Sequence, residues 1–312
     1  MTSRRPCCKI LRATDLEFFQ KYNWIAAVRA AVDAAGAMRL GTYNKEGKVE
    51  KSAWTFTGWT NRGSETLTND GLGNPTKENG MVRVAFRPSD DACIYQLLVP
   101  ANMMWAKYLE EGSKIMEKLR GAEAKNLTTT MRNFAYGIRV GIENDAIIHH
   151  KVFGDIFAYE IDGYGGTNMM DDANVPSLLA MPLWNYTESS FALPPVKTGE
   201  KAVDYKQVYH NTRRFVLSDS NPYFMKGPVI SAIGGPHVGP GKAWPMAAII
   251  RGITAFTTLA TQDPSSVGSV EQALKKEIED EIKSQISMVL NSTHGSGGGS
   301  TFHLSLQSKK MS

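Results

Sequence analysis

With 312 residues, 42% apolar composition and a net charge of only +4, the chain suits one large domain or two average ones and lacks the basic stripe of a nucleic-acid platform. No apolar run reaches membrane-spanning length, and no apolar core follows Arg4 and Arg5 to make a signal peptide of the first residues. The three cysteines, Cys7, Cys8 and Cys93, give no disulfide framework, and no Cys/His spacing suits zinc; His149-His150 reads as a surface or packing pair, so neither metal nor cofactor is expected.

In chain order, residues 1–12 read as an N-terminal tail, and residues 13–40 as a helix that Thr14 and Asp15 can cap. Leu16, Phe19, Trp24, Ile25, Val28 and Val32 form its apolar face. Residues 41–86 are polar and glycine-rich, a length of irregular chain that is usually functional when it belongs to a compact domain. A helix is expected through about Leu119, and a second one before Asp145 on Leu127, Met131, Phe134, Ile138 and Ile142. Residues 146–161 suit a small β-hairpin inserted between helices. Tyr205 to Leu217, a run starting at Trp244-Pro245-Met246, and Gly268 to Leu290 complete the helices, with Pro245 suited to a first turn.

The stretch that carries chemistry is Arg87-Pro88-Ser89-Asp90-Asp91. Ser89 reads as a helix N-cap with Asp90 and Asp91 in the first turn. A helix N-terminus favours anions, so the pair has a structural explanation; the functional one is that a carboxyl faces a pocket and does acid/base work. The tripeptide recurs as Asp171-Asp172-Ala173, and the Pro245 helix follows at a comparable interval. Such a rhythm suits stacked helical hairpins whose inner helices all start on one rim, where polar residues converge on a pocket. Three sequons, at Asn126, Asn185 and Asn291, mildly favour a secreted ancestor, against the missing signal peptide; the compartment is left unassigned.

Several longer motifs resemble glycoside hydrolase family 125, the metal-independent exo-α-1,6-mannosidases. They are Glu65-Thr66-Leu67 with Gly71-Leu72-Gly73-Asn74-Pro75, Arg87 to Asp91, Pro100-Ala101-Asn102-Met103-Met104, Tyr159 to Gly165, Met170 to Leu179, Asn211-Thr212-Arg213, Asn221-Pro222-Tyr223-Phe224, Gly235 to Gly239 and Trp244-Pro245-Met246. The resemblance spans residues 15–292. It implies an all-α fold, an (α/α)6 toroid of helical hairpins, and inverting removal of terminal α-1,6-linked mannose from an oligosaccharide or N-glycan, without a metal, with neither nucleic acid nor membrane as partner.

An inverting glycosidase needs one protonated carboxyl at the leaving oxygen and one ionised carboxyl to activate water, about 6.5–9.5 Å apart. The resemblance puts the acid at Ser89-Asp90-Asp91, on Asp91 in preference to Asp90. The expected sugar-binding residues are Arg87, Asp171, Asp172, Asn174, His237 and Trp244, whose charged and amide groups suit hydroxyls and whose indole suits a ring face. For each a structural role competes: a helix cap for Asp171 and Asp172, an ion pair with them for Arg87, the core for Trp244.

Two family motifs have no counterpart here. One, Trp-Leu-Arg-Asp-Ser, belongs before the first matching helix. The other, His-Glu-Ser-Phe, supplies the general base near the end, whereas here no Asp or Glu follows Glu281 and residues 294–312 form a Gly/Ser-rich tail unlike the family. We therefore expect residues 13–293 to form an incomplete toroid and the enzyme to be impaired. The alternatives are a mannoside-binding pseudoenzyme that has lost its base and a helical interaction protein.

Overall fold

The computed structural model describes residues 16–21, 23–188, 202–227, 230–260 and 269–292. Thr14, Asp15, Cys7, Cys8 and both terminal tails lie outside them. The single helix expected over residues 13–40 is instead two, α1 (Leu16–Gln20) and α2 (Trp24–Ala37). The break falls where Asn23 takes a left-handed conformation at φ 57°, which Asn tolerates better than most residues and which no helix continues through.

Residues 38–96 run without long elements, as expected for 41–86 but further than the helix expected from Ser89 allowed, and they are tied down at both ends. Thr42 and Thr76 exchange hydrogen bonds, N–H of Thr42 to the Thr76 carbonyl at 2.8 Å and N–H of Thr76 to Thr42 Oγ1 at 2.9 Å. Arg83 N–H donates to the Met38 carbonyl, and Val84 N–H to that of Gln96, both at 2.9 Å. Such bonds satisfy backbone groups that a long loop would otherwise leave bare.

Two long helices follow, α3 (Val99–Glu117) and α4 (Ala122–Asp145), joined by the short link 118–121. Pro100 occupies the first turn of α3, where its missing N–H costs nothing. Val99, Met103, Ala106, Leu109 and Met116 on α3 meet Ala124, Leu127, Met131, Phe134, Ile138 and Ile142 on α4, all buried, which is the apolar stripe that the 3.6-residue period demands. Inside this pair Arg139 is held by Glu110, Nε to Oε1 at 2.6 Å, both side chains 1% exposed, and donates to the Tyr186 carbonyl at 3.2 Å.

The expected hairpin is present as an antiparallel pair of strands, Ile147–His150 with Gly154–Phe157. A second small sheet has no counterpart in the sequence pattern. The two-residue strand Leu97–Leu98 pairs antiparallel with Glu160–Ile161, which pairs in turn with Thr167–Asn168. Its register sets Glu160 opposite both Leu98 and Asn168. A third pair, Phe224–Met225 with Ala232–Ile233, lies in the Gly/Pro-rich loop.

The remaining helices are α5 (Tyr205–Val216), α6 (Pro245–Ala260) and α7 (Ser269–Ser292). Asp204 caps α5 by accepting from the N–H groups of Lys206 and Gln207 at 3.0 and 3.1 Å. Glu281 on α7 is clamped by Arg213 of α5 at 2.9 Å and by Arg251 of α6. The fold is thus mainly helical with three small sheets. No described helix is long and apolar enough to cross a membrane.

Two expectations about helix starts are corrected. Asp90 and Asp91 do not open a helix, since α3 begins at Val99. Asp171 and Asp172 lie in irregular chain ahead of a single 3-10 turn, Met181–Trp184. Of the three starts expected on one rim, only that at Pro245 begins a helix.

Candidate active site

The acidic pair sits in a tight turn. Arg87 N–H donates to the Asp91 carbonyl at 2.7 Å and Asp90 N–H to the Arg87 carbonyl at 3.0 Å, with Phe86 bridged to Ala92 beneath. Asp90 occupies the crest at φ 67°, a left-handed conformation that Asp accepts, and is exposed. That crest turns the next side chain inward, and Asp91 is only 3% exposed. A bond from Ala92 N–H to the Ser64 carbonyl, 2.6 Å long, fastens this turn to the Gly63–Glu65 turn.

Arg87 is paired with Glu160 and not with the second acidic pair. Its Nε and Nη2 donate to the two Glu160 oxygens at 2.6 and 3.0 Å, with side chains 2% and 0% exposed. Glu160 also accepts from Asn168 Nδ2 at 3.0 Å and from Tyr95 N–H at 3.4 Å. Burial alone would lower the basicity of Arg87; the hydrogen bonds and charge of Glu160 outweigh it, and Arg87 stays firmly cationic.

Asp172 accepts from Ser89 Oγ at 2.9 Å and from Asn174, N–H at 3.0 Å and Nδ2 at 3.3 Å. Gly235 lets the Gly/Pro-rich loop approach it: a Cβ there would lie 3.0 Å from Asp172 Oδ2. Asp171 points elsewhere. Its two oxygens accept from the N–H groups of Leu178 and Leu179 at 2.9 and 3.0 Å, so it organises the turn that leads to Met181. Burial raises its pKa to about 7, against those two bonds, and the Asp172 charge adds to the rise.

A pocket of about 330 Å³ opens against Asp91. Its walls are Gly63-Ser64, Thr66-Leu67-Thr68, Gly73-Asn74, Arg87 and Asp91 to Ile94, closed by Tyr223 and Pro236. Asp91 Oδ2 is buried and without a hydrogen-bond partner, whereas Oδ1 lies 3.9 Å from His237 Nδ1. Burial is the main influence on Asp91 and raises its pKa. The charge of His237, a hydrogen bond with Ser64 and the charge of Arg87 pull the other way, and Asp172 adds to the rise.

Of the residues expected from sequence, Arg87 and Asp91 line the pocket. His237 stands beside Asp91; Asp172 accepts from Ser89, two residues before Asp91, and Asn174 donates in turn to Asp172. Asp90 faces solvent, Asp171 is turned into its own loop, and Trp244, 36% exposed, is not among the pocket walls. Glu160, Ser64, Asn74 and Tyr223 were not singled out for the site. Glu160, Asn74 and Tyr223 lie within motifs that carry the family resemblance, which was the available signal. Among the described residues no group of three or more His, Cys, Asp or Glu could hold a metal ion.

A carboxyl whose neutral form is favoured by burial, on a residue that lines a pocket, is equipped to donate a proton to a bound oxygen. A family model described as metal-independent alpha-mannosidase matches residues 9–312, including the tail that sequence reading set apart from the family. The meiotically up-regulated gene 157 protein of Schizosaccharomyces pombe is 36% identical over 278 residues, 88% of this chain and 47% of that protein. A metal-independent α-mannosidase structure from Streptococcus pneumoniae, a non-productive complex with α-1,6-mannobiose, superposes with a TM-score of 0.63 at 32% identity. That superposition covers 83% of this chain and 52% of the other, so the chain spans about half the length of both relatives. On these matches the chain belongs to glycoside hydrolase family 125, the metal-independent α-mannosidases.

Proposed function

We propose that this chain carries the acid half of an inverting exo-α-1,6-mannosidase site, built on part of an (α/α)6 toroid. Asp91 protonates the departing glycosidic oxygen, and Arg87 and His237 bind the terminal mannose. Asp172 and Asn174 support the site from behind Ser89. The observation that carries this reading is the buried, unpartnered Oδ2 of Asp91, a residue that lines the pocket. The α-1,6-mannobiose bound by the streptococcal relative suggests the linkage.

Inversion also needs an ionised carboxylate on the opposite face of the sugar. Among the described walls of the pocket Asp91 is the single carboxylate. On the reading that no other carboxylate reaches the sugar, the loss of water activation costs about 10²–10⁴ in rate. Mannoside binding outlasts turnover, which is the second reading: a binding protein with an inactive hydrolase site.

Hydrolysis of α-1,6-mannobiose by this chain, beside a full-length relative, is the test. A rate far below the relative, with β-mannose as the first product and mannose-dependent thermal stabilisation, is expected. Turnover within tenfold of the relative would overturn the missing-base argument. No turnover together with no stabilisation by mannose would overturn the sugar-site reading itself.

A further inference from the structure

We propose that Trp59 is an aromatic platform for the part of an oligomannoside that leaves the pocket, so that this chain prefers longer α-linked mannosides over mannose. The proposal rests on the pocket being a mannoside site. Trp59 is fully exposed, at 107% of its reference area, and its neighbour Phe56 is 43% exposed. Large aromatic side chains ordinarily bury most of their surface, and leaving a whole indole in water forgoes that gain.

The segment that presents it is pinned. Gly58 N–H donates to Thr66 Oγ1 at 3.1 Å, and Thr60 Oγ1 donates to Glu65 Oε2 at 2.7 Å. Arg62 N–H donates to Thr60 Oγ1 at 3.1 Å, and Glu65 N–H to the Arg62 carbonyl, also at 3.1 Å. Upstream, Phe56 N–H donates to the Gly71 carbonyl at 3.0 Å, and its ring meets Phe86 edge-on with centroids 5.1 Å apart. Gly71 is needed there: at φ +81° a side chain is strained, and a Cβ would stand 2.9 Å from the Phe56 backbone. Trp59 is therefore held between two tethers, Gly58 and Thr60, whose partners are a wall residue, Thr66, and a neighbour of the wall residue Ser64.

An exo-acting site encloses the terminal sugar and lets the rest of the substrate pass over the rim. Trp59 stands on a segment whose flanking residues are tied to Thr66, a wall residue, and to Glu65 between two wall residues, while Ile94, 50% exposed, belongs to the wall itself. The C–H face of a pyranose is apolar while its edge carries hydroxyls, so an exposed aromatic face beside the pocket segment suits it. The same chemistry places aromatic residues wherever one side of a contact is apolar and the other wet. A backbone already tethered on both sides of Trp59 has less freedom left to lose on binding.

The test compares wild type with Trp59→Ala and Trp59→Tyr for binding of mannose, α-1,6-mannobiose and a linear α-1,6-mannotriose, by calorimetry. Wild type is expected to bind the trisaccharide more tightly than mannose. Trp59→Ala should weaken the trisaccharide about three- to tenfold, the range of a single aromatic contact, and leave mannose unchanged. Trp59→Tyr should retain most of the preference, and all three proteins should melt together because the indole buries nothing. Unchanged trisaccharide binding in Trp59→Ala, or an equal loss for mannose and trisaccharide, overturns the platform while the mannose site stands. Failure of the wild type to bind mannose at all overturns both.

Discussion

Glu160→Ala is the perturbation for which the structure gives the firmest magnitude. The substitution leaves the Arg87 guanidinium 2% exposed with neither of its 2.6 and 3.0 Å acceptors. Asn168 Nδ2 and Tyr95 N–H lose an acceptor at the same time. Breaking a buried ion pair from one side costs about 3–5 kcal/mol, because an uncompensated charge remains. Against a total stability of about 5–15 kcal/mol that is a large share. Urea unfolding followed by circular dichroism measures it: the midpoint should fall sharply with little change in slope. Glu160→Gln keeps one acceptor and the shape, so it should lose less than Glu160→Ala. The paired replacement Arg87→Met with Glu160→Leu should recover most of the stability, since apolar isosteres of a buried pair are often no worse than the pair. Sugar binding should not recover in that double variant. A Glu160→Ala protein within about 1 kcal/mol of wild type would refute the reasoning, for it would mean that water reaches Arg87 and the pair is not dry.

Asp91→Asn should reduce hydrolysis of α-1,6-mannobiose by about 10²–10⁴, while an aryl α-mannoside with a strongly acidic phenol loses far less, because that leaving group departs without a proton. Equal losses on both substrates would show that Asp91 does not act as the acid. Asp171 gives a pH signature. Its folded pKa, about 7, lies above the ordinary carboxylate value, so the folded state holds its proton more tightly than the unfolded chain does. Stability from this group is therefore complete below about pH 4 and is lost as pH rises towards 7. Asp171→Asn should flatten that part of a stability profile measured by denaturant titration between pH 4 and 8, and an unchanged slope would contradict the assignment.

The helices α3, α4, α5, α6 and α7 were legible because each repeats a helical period over three turns or more, and bonds within one segment satisfy its backbone. What escaped was whatever depends on distant partners. A two-residue strand has no period, so nothing local announces that Leu98 stands opposite Glu160 and Glu160 opposite Asn168. Ser89-Asp90-Asp91 was misplaced for the same reason. Read alone it has the composition of a helix cap, yet its geometry is fixed by Ala92 bonding to Ser64 and Cys93 to Ala85. At Asp171 the capping chemistry was right and the element wrong: the carboxylate does accept two backbone N–H groups, but those of an irregular turn. The even spacing of the two acidic tripeptides therefore said nothing about helix starts. The family motifs fared better as a guide to the family, because a run of matching residues in the right order does not depend on which local element carries it.

That distinction alters the physics of the proposed acid. Placed in the first turn of a helix, Asp91 would face the positive end of the peptide dipoles, which stabilises the ionised carboxylate and works against proton donation. The turn at Arg87 to Asp91 removes that opposition. The carboxyl hangs inward from a two-bond hairpin, its Oδ2 takes no N–H, and burial becomes its dominant influence. His237, 3.9 Å from Oδ1, is the cation that pulls hardest towards the ionised form, while Arg87 gives Nε and Nη2 to Glu160. Glu160 therefore serves the proposed chemistry at one remove: by engaging Arg87, it keeps those two donors from Asp91. The two acidic residues divide the work by environment, with Asp91 buried and its Oδ2 unpartnered while both oxygens of Asp171 are bonded. Only the first has an oxygen to offer a substrate.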